Sequence, residues 1–389
     1  MMKHSKLVLS IIVISQFCCT SLWFAGNGVM SDLVEAFNLE TSAVGHLTSA
    51  VQFGFIIGTL CFAMLTIADR FSPSKVFFVC AIIGGLFNLG TILESQTLFS
   101  LVSFRFFTGF FLAGIYPVGM KIAADYFQKG LGLSLGFLVG ALVIGTAFPH
   151  LLKAFGTTIN WRHLLVFISG IAMFGGVLML LFVPNGPYRT SSQKLQLGAW
   201  KQNFKDKSFR SAAFGYFGHM WELYAFWAFV PFMLSTFQSK NSSIDFNISF
   251  WSFVIIAIGG LACVTSGYLS LKFKTKSVAF VALSLSSMCC LLSPLMFQSN
   301  SEVLFLNFLL FWGIVVIADS PLFSTLVAQN AIPKFKGTAL TIVNCIGFSI
   351  TIISIQLINY VATIWNPSYI FMLLAIGPIL GLMALYKKT

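Results

Sequence analysis

Long apolar stretches separated by short polar segments recur along the whole chain. A bilayer core about 30 Å thick is crossed by about 20 helical residues, so the number of such stretches predicts the number of membrane crossings. Twelve can be read, and the pattern predicts an all-α membrane protein with twelve transmembrane helices. These predicted spans, numbered 1 to 12, are residues 7–30, 45–67, 76–93, 97–121, 131–152, 163–183, 211–237, 250–271, 278–297, 303–327, 337–362 and 369–386.

The longest polar segment lies at the middle of the chain and begins with Pro-Asn-Gly-Pro, a sequence typical of a loop. We therefore predict an N-terminal six-helix bundle over 1–183, a cytoplasmic linker over 184–210 and a C-terminal six-helix bundle over 211–389.

Composition and charge support a membrane environment. The chain is 57% hydrophobic and only 9% charged, whereas soluble domains carry about 25% charged residues. With both termini in the cytoplasm, 19 of the 23 Lys and Arg residues fall in cytoplasmic segments, as the positive-inside rule requires. The net charge of +12 thus reports membrane orientation, and nucleic-acid binding, which needs a soluble basic surface, is excluded.

Signals for cofactors are missing from the sequence. The eight cysteines all fall inside predicted spans without metal-type spacing, which favours reduced packing residues. No GxxxxGK[ST] loop occurs, so no ATP-driven motor is indicated. The apolar stretch after Lys3 and Lys6 lacks a small-x-small cleavage site and is interpreted as span 1, not a signal peptide. We expect a monomer with no bound cofactor or metal.

Several short features recur in the two halves at one separation. Trp23 and Trp227 are 204 residues apart, as are Tyr116-Pro117 and Ser320-Pro321, while Arg70-Phe71 and Lys272-Phe273 are 202 apart. Such spacing is typical of a duplicated six-helix unit, in which solute sites lie near the membrane midplane.

The chain resembles the major facilitator superfamily, specifically a bacterial branch of it, along most of its length. Ala68-Asp69-Arg70-Phe71 is similar to the loop 2–3 signature GxLADRxGRK, although Leu65 replaces the first glycine, and Arg105 to Gly109 resembles the RxxxG signature of span 4. The resemblance implies two bundles related by a pseudo-twofold axis, a secondary transporter in the bacterial inner membrane, and a gate formed by Asp69 and Arg70. Nitrate carriers of this family place arginines in spans 2 and 8. Span 2 of this chain offers only Gln52, and span 8 has no basic residue, so nitrate is rejected as the solute.

Ionisable side chains inside the predicted spans are few. Each costs about 3 kcal/mol near the bilayer centre and persists only beside a cavity or a partner. Away from the helix ends they are Arg105, His219, Glu222 and Asp319. The resemblance implies that spans 1, 4, 7 and 10 line the central cavity, and three of those four spans carry these charges.

We expect Arg105 to meet an anionic part of a small organic solute and Glu222 or Asp319 to bind a coupled proton. His219 is expected to be a hydrogen-bond partner of Glu222 or a second titrating group. Further solute contacts are predicted for Asn27, Trp23, Tyr116 and Trp227. The alternatives are structural ion pairs, efflux of a cation or zwitterion, an intramembrane metal enzyme using His219, Glu222 and Asp319, and a membrane sensor.

Overall fold

The computed structural model describes residues 2–40, 42–127, 131–155, 160–189 and 198–386, and every regular element in these ranges is a helix. Nine helices in this part of the chain are long and apolar enough to cross a membrane. Leu7–Thr20 and Ile370–Tyr386 are apolar but shorter, and Lys207–Lys240 is long enough but carries polar side chains such as His219 and Glu222. These helices follow the twelve predicted spans.

The observed bounds differ from the predicted ones by a few residues at most ends. Short helices at Ile67–Arg70, Ala199–Asn203 and Pro333–Phe335 lie in the connectors. In span order the helices are Met2–Thr20 with Ala25–Gly28 and Met30–Ala36; Ala43–Met64; Pro73–Gly90; Leu98–Leu112 with Tyr116–Tyr126; Leu131–Phe155; Trp161–Phe182; Lys207–Lys240; Ile248–Lys272; Thr275–Phe297; Glu302–Ala318 with Ser320–Asn330; Lys336–Ile364; and Ile370–Ala375 with Ile376–Tyr386.

Span 1 corrects the prediction of one continuous helix over 7–30. The helix ends at Thr20, residues 21–24 form turns, and helical structure resumes only at Ala25. Within the turns the N–H of Ala25 lies 3.5 Å from the carbonyl oxygen of Leu22, a long contact for a backbone hydrogen bond. The break therefore leaves carbonyl groups in the middle of the span that need other donors.

Spans 4 and 10 are interrupted immediately before their prolines. Leu98–Leu112 is followed by turns and then by Tyr116–Tyr126, with Pro117 in its first turn. Span 10 breaks at Asp319 and resumes at Ser320, with Pro321 in the first turn. Proline lacks a backbone donor and fits the first turn of a helix, so it sets the restart point in both spans.

The chain separates into two compact units, Met1–Leu195 and Gln196–Thr389. The boundary falls inside the polar segment 184–210. Parts of that segment are docked on their own units: the N–H of Tyr188 donates to the carbonyl of Asp125, and Asn203 Oδ1 accepts from the N–H of Ile332. Docked in this way, these residues do not behave as a free linker.

Among the close contacts between a glycine and a neighbouring helix backbone, one in each unit stands at an equivalent position. A Cβ atom on Gly109 would lie 2.0 Å from the carbonyl oxygen of Val51, and one on Gly313 would lie 2.1 Å from that of Ile255. Both partners of the second contact are 204 residues beyond those of the first. Spans 2 and 4 therefore pack as spans 8 and 10 do, at the separation found in the sequence repeat.

Span 5 contacts span 1 closely at Gly145 but not at Gly136. A Cβ on Gly136 would meet nothing within 4 Å, whereas one on Gly145 would lie 2.2 Å from Thr20 Oγ1. The close contact with span 1 is therefore at Gly145.

Candidate functional site

Arg105 is buried in the N-terminal unit, with 2% of its surface exposed. Its Nη2 donates to the carbonyl oxygens of Leu22 at 3.1 Å and Trp23 at 2.5 Å, and Nη1 donates to Leu22 and to Asn88 Oδ1, both at 3.1 Å. Among the described residues no acidic side chain forms an ion pair with it. The guanidinium group therefore satisfies the carbonyl groups that the break in span 1 exposes.

Asn88 extends this network to two further spans. Its Oδ1 accepts from Arg105, and its Nδ2 donates to Ser169 Oγ at 3.0 Å. Spans 1, 3, 4 and 6 are thus joined by one chain of buried hydrogen bonds, and such a fully paired network is stabilising in a low-dielectric interior.

Glu222 occupies a comparable node in the C-terminal unit. Its Oε1 accepts hydrogen bonds from Trp312 Nε1 at 2.6 Å, Ser286 Oγ at 2.5 Å and Cys290 Sγ at 3.2 Å. The indole N–H can only donate, so Oε1 is an acceptor in either protonation state. Glu222 therefore joins spans 7, 9 and 10, just as Arg105 joins spans 1, 3 and 4.

His219 corrects the expectation that it would bond to Glu222. Its Nδ1 lies 2.8 Å from Asp319 Oδ1, and both side chains are only 1% exposed. Within the described residues, His219 Nε2 and both carboxylate oxygens of Asp319 have no partner with hydrogen-bond geometry. The structure thus brings two of the predicted titratable residues into close contact at the break in span 10 and leaves three of their polar atoms unsatisfied.

The predicted solute contacts are mostly packed within their own units. Asn27 Nδ2 donates to Thr48 Oγ1 at 2.8 Å. The ring of Trp23 lies 4.8 Å from that of Phe55, centroid to centroid. The ring of Trp227 is buried, and its centroid lies 5.3 Å from that of Tyr224. Tyr116 is half-buried and is the first residue of the second helix of span 4.

The two predicted gate residues have different surroundings. Asp69 forms an ion pair of 2.7 Å with Lys121 at the end of span 4, and both side chains are partly exposed. Arg189 donates to the carbonyl groups of Asp69 and Phe71 at 2.9 and 2.8 Å. Arg70 is exposed, and no ion pair involves it in the described part of the chain.

Three residues of these networks were not predicted. Asn88, Ser286 and Trp312 are uncharged, so the search for ionisable groups passed over them. Their signal is weak but physical: each is a hydrogen-bonding side chain in an apolar span, where an unpaired polar group is costly. The catalytic alternative is not supported by this geometry, because no group of three metal-ligating side chains occurs within the described residues.

Two units built from apolar helices of membrane-spanning length define a multi-pass membrane protein. Residues 12–355 match the sequence profile of the Major Facilitator Superfamily. Because this match covers most of the chain, the protein belongs to the Major Facilitator Superfamily and is a transporter, not an enzyme.

Similar proteins of known name are transporters of small organic solutes. The chain is 22% identical over 325 residues to the "Probable L-galactonate transporter" of Escherichia coli (strain K12), covering 73% of this chain and 69% of that protein. It is 29% identical to the "4-hydroxybenzoate transporter PcaK" of Acinetobacter baylyi, over 40% of this chain and 34% of that protein. Several matches of this kind span only 30–39% of the relatives' length.

Solved structures confirm the twelve-helix fold. The proton:xylose symporter XylE superposes with a TM-score of 0.76 at 12% identity, covering 99% of this chain and 96% of that chain. The human organic anion transporter MFSD10 gives a TM-score of 0.76 at 13% identity, covering 98% and 99%. At these identities the likeness establishes the fold alone.

Proposed function

We propose that the protein moves a small organic anion across a bacterial inner membrane by alternating access, in symport with a proton. The observation that carries the coupling is the buried His219–Asp319 pair with its three unsatisfied atoms. Transport of organic solutes by relatives supports the solute class.

The anion assignment rests on what the relatives carry. Galactonate, sulfoacetate and 4-hydroxybenzoate, named for three of them, are all anions near neutral pH. Their chemistry differs in size and in aromatic character, so the shared feature is a carboxylate or sulfonate on a small organic body. We therefore assign an organic acid as the solute.

The coupling assignment rests on the geometry of the pair. His219 Nδ1 lies 2.8 Å from Asp319 Oδ1, whereas His219 Nε2 and both carboxylate oxygens lack a hydrogen-bond partner among the described residues. Ionisable side chains buried inside membrane spans are typical of the proton relays of transporters. Our proposal therefore places the coupled proton on this pair, and Glu222, which already accepts from three donors, is the alternative site that it sets aside.

Solute contacts are proposed for Asn27, Trp23, Tyr116 and Trp227. Arg105 acts on them indirectly, since its bonds to the carbonyl groups of Leu22 and Trp23 fix the break that orients Trp23 and Asn27. We propose a monomer in the lipid bilayer with both termini cytoplasmic, from the distribution of Lys and Arg.

Uptake into proteoliposomes tests the proposal. Radiolabelled galactonate, sulfoacetate and 4-hydroxybenzoate, together with a cationic and a zwitterionic solute, are assayed with and without an inside-alkaline pH gradient. One pH unit corresponds to about 1.4 kcal/mol per proton, so one-to-one symport should accumulate the carried anion by about tenfold. Equal uptake with and without the pH gradient would overturn proton coupling. Uptake of only the cationic or the zwitterionic solute would overturn the assignment of an anion as the solute.

Variants then locate the proton. Asp319→Asn should abolish gradient-driven accumulation but retain exchange of labelled for unlabelled solute, because exchange does not require the proton to dissociate. Asp32→Asn is the matched control: it neutralises an acid that forms an ion pair with Lys153 at a partly exposed position. Equal accumulation by Asp319→Asn and wild type would place the proton site elsewhere.

A further inference from the structure

One buried face of span 2 consists of the polar side chains of Thr48, Gln52 and Thr59 together with the ring of Phe55, and we call this face the stripe. At 100° per residue these four side chains fall within an arc of about 60° of the helix. All are buried, and the side chain of Gln52 is completely inaccessible. A polar stripe of this kind in a membrane helix needs partners for its hydrogen-bonding groups.

The stripe faces span 1 next to its break. Asn27 Nδ2 donates to Thr48 Oγ1 at 2.8 Å at one end, and the rings of Trp23 and Phe55 pack at 4.8 Å further along. Gln52 lies between these two contacts on the same face. Its amide is therefore held close to the segment of span 1 whose shape the Arg105 network fixes.

The amide of Gln52 is unsatisfied. Neither Oε1 nor Nε2 has a hydrogen-bond partner among the described residues, and the same holds for the hydroxyl oxygen of Thr59 on the same stripe. A buried polar group left unpaired costs about 1–3 kcal/mol, and such groups are few in native structures. A ligand that supplies the missing partners would explain why these side chains are present in an apolar helix.

We propose that Gln52 binds a hydroxyl group of the solute, so that the organic anion of the proposed function is a hydroxy acid. A carboxylate can only accept hydrogen bonds and would leave Oε1 of the amide unpaired. A hydroxyl group can donate to Oε1, and a hydroxyl or ether oxygen can accept from Nε2. The Trp23–Phe55 ring pair supplies an apolar surface beside the amide for the carbon skeleton. This inference rests on the proposed function.

Matched acids with and without a hydroxyl group test it. Lactate and propionate, 4-hydroxybenzoate and benzoate, and gluconate and hexanoate compete with the labelled solute for exchange into proteoliposomes. The wild type should prefer the hydroxylated member of at least one pair by about fivefold or more, because pairing the buried amide relieves a cost of about 1–3 kcal/mol. Gln52→Met keeps the length of the side chain but removes the amide, and should reduce that preference to about twofold or less.

Two controls separate this effect from misfolding. Gln52→Met removes an unsatisfied polar group, so its thermal midpoint in detergent should equal or exceed that of wild type. Gln16→Met removes another buried amide that lacks a partner among the described residues but lies against Gly119 in span 4. It should leave the hydroxyl preference unchanged.

The outcomes distinguish the two levels of the proposal. If no organic acid is carried, the proposed function itself is wrong. If acids are carried but wild type shows no hydroxyl preference, only the role of Gln52 is overturned. A preference that survives Gln52→Met, or disappears equally in Gln16→Met, also overturns it.

Discussion

Arg105 and Leu309 occupy equivalent positions in the two units, 204 residues apart and each four residues before the glycine of a backbone contact. Both are fully or almost fully buried. Only the arginine faces a broken helix: span 1 is interrupted at residues 21–24, whereas Lys207–Lys240, the equivalent span 7, is continuous. The charged residue is present where backbone carbonyl groups need donors and is replaced by leucine where they do not.

Removing the Arg105 side chain should therefore destabilise the N-terminal unit. Arg105→Leu leaves the carbonyl groups of Leu22 and Trp23 without their donor, at a cost of about 1–3 kcal/mol for each unpaired group. Arg105→Lys should be intermediate, because an ammonium group cannot reproduce the forked geometry of a guanidinium group. Thermal unfolding followed by a thiol-reactive dye suits a chain whose eight cysteines are free and mostly buried.

Arg162→Leu is the control for this series. Arg162 is half-buried, and its side chain makes one long hydrogen bond of 3.4 Å to the carbonyl group of Ile92 and lies 4.6 Å from the ring of Trp161. Its loss should therefore change the midpoint far less. Equal midpoints for Arg105→Leu and wild type would show that Arg105 does not hold the break.

Glu222 should tolerate an amide but not an apolar side chain. Glu222→Gln keeps an oxygen that can accept from Trp312 and Ser286, so both the thermal midpoint and gradient-driven uptake should stay near wild type. Glu222→Leu leaves those donors unpaired and should lower the midpoint by several degrees, with Trp312→Phe lowering it less. Loss of gradient-driven uptake in Glu222→Gln would instead identify Glu222 as the proton site.

The fold was predictable because its determinants are local and repeated. Apolar length fixes the spans, and Pro117 and Pro321 mark the restart of spans 4 and 10 through the chemistry of proline itself. The separation of 204 residues was readable from Trp23 and Trp227 and reappears in the glycine contacts.

The partners within the site were not predictable in the same way. The sequence of residues 21–24 does not predict the break in span 1. The side chain that satisfies the carbonyl groups of Leu22 and Trp23 is Arg105, which is more than eighty residues away in the chain. The scarcity of ionisable residues in the spans identified Glu222 and Asp319, but the choice of His219 as the partner of Asp319 depends on helix rotation and packing. Sequence identified the charges, and tertiary structure assigned their partners.

The two glycine contacts should be equally sensitive to a single methyl group. In Gly109→Ala or Gly313→Ala the new Cβ would lie about 2 Å from a backbone carbonyl oxygen, which cannot rotate away, so the helices must separate. Overpacking of this kind costs about 1–3 kcal/mol. Gly136→Ala is the control, because its Cβ meets open space and alanine favours helix by up to about 1 kcal/mol. A loss of stability in Gly136→Ala equal to the other two would contradict the contact argument.

The Asp69–Lys121 ion pair should affect transport rate more than stability. A partly exposed pair contributes about 0–1 kcal/mol to folding, so Asp69→Asn should leave the thermal midpoint almost unchanged. If the pair is made in one transport state and broken in another, its loss shifts the balance between states by a similar energy, and the exchange rate should change by about two- to fivefold. The reversed pair Asp69→Lys with Lys121→Asp should restore the rate. Arg70→Gln, at the exposed neighbouring position, should change the exchange rate little. If Arg70→Gln changed the exchange rate more than Asp69→Asn does, the arginine and not the aspartate would be the residue on which the gate depends.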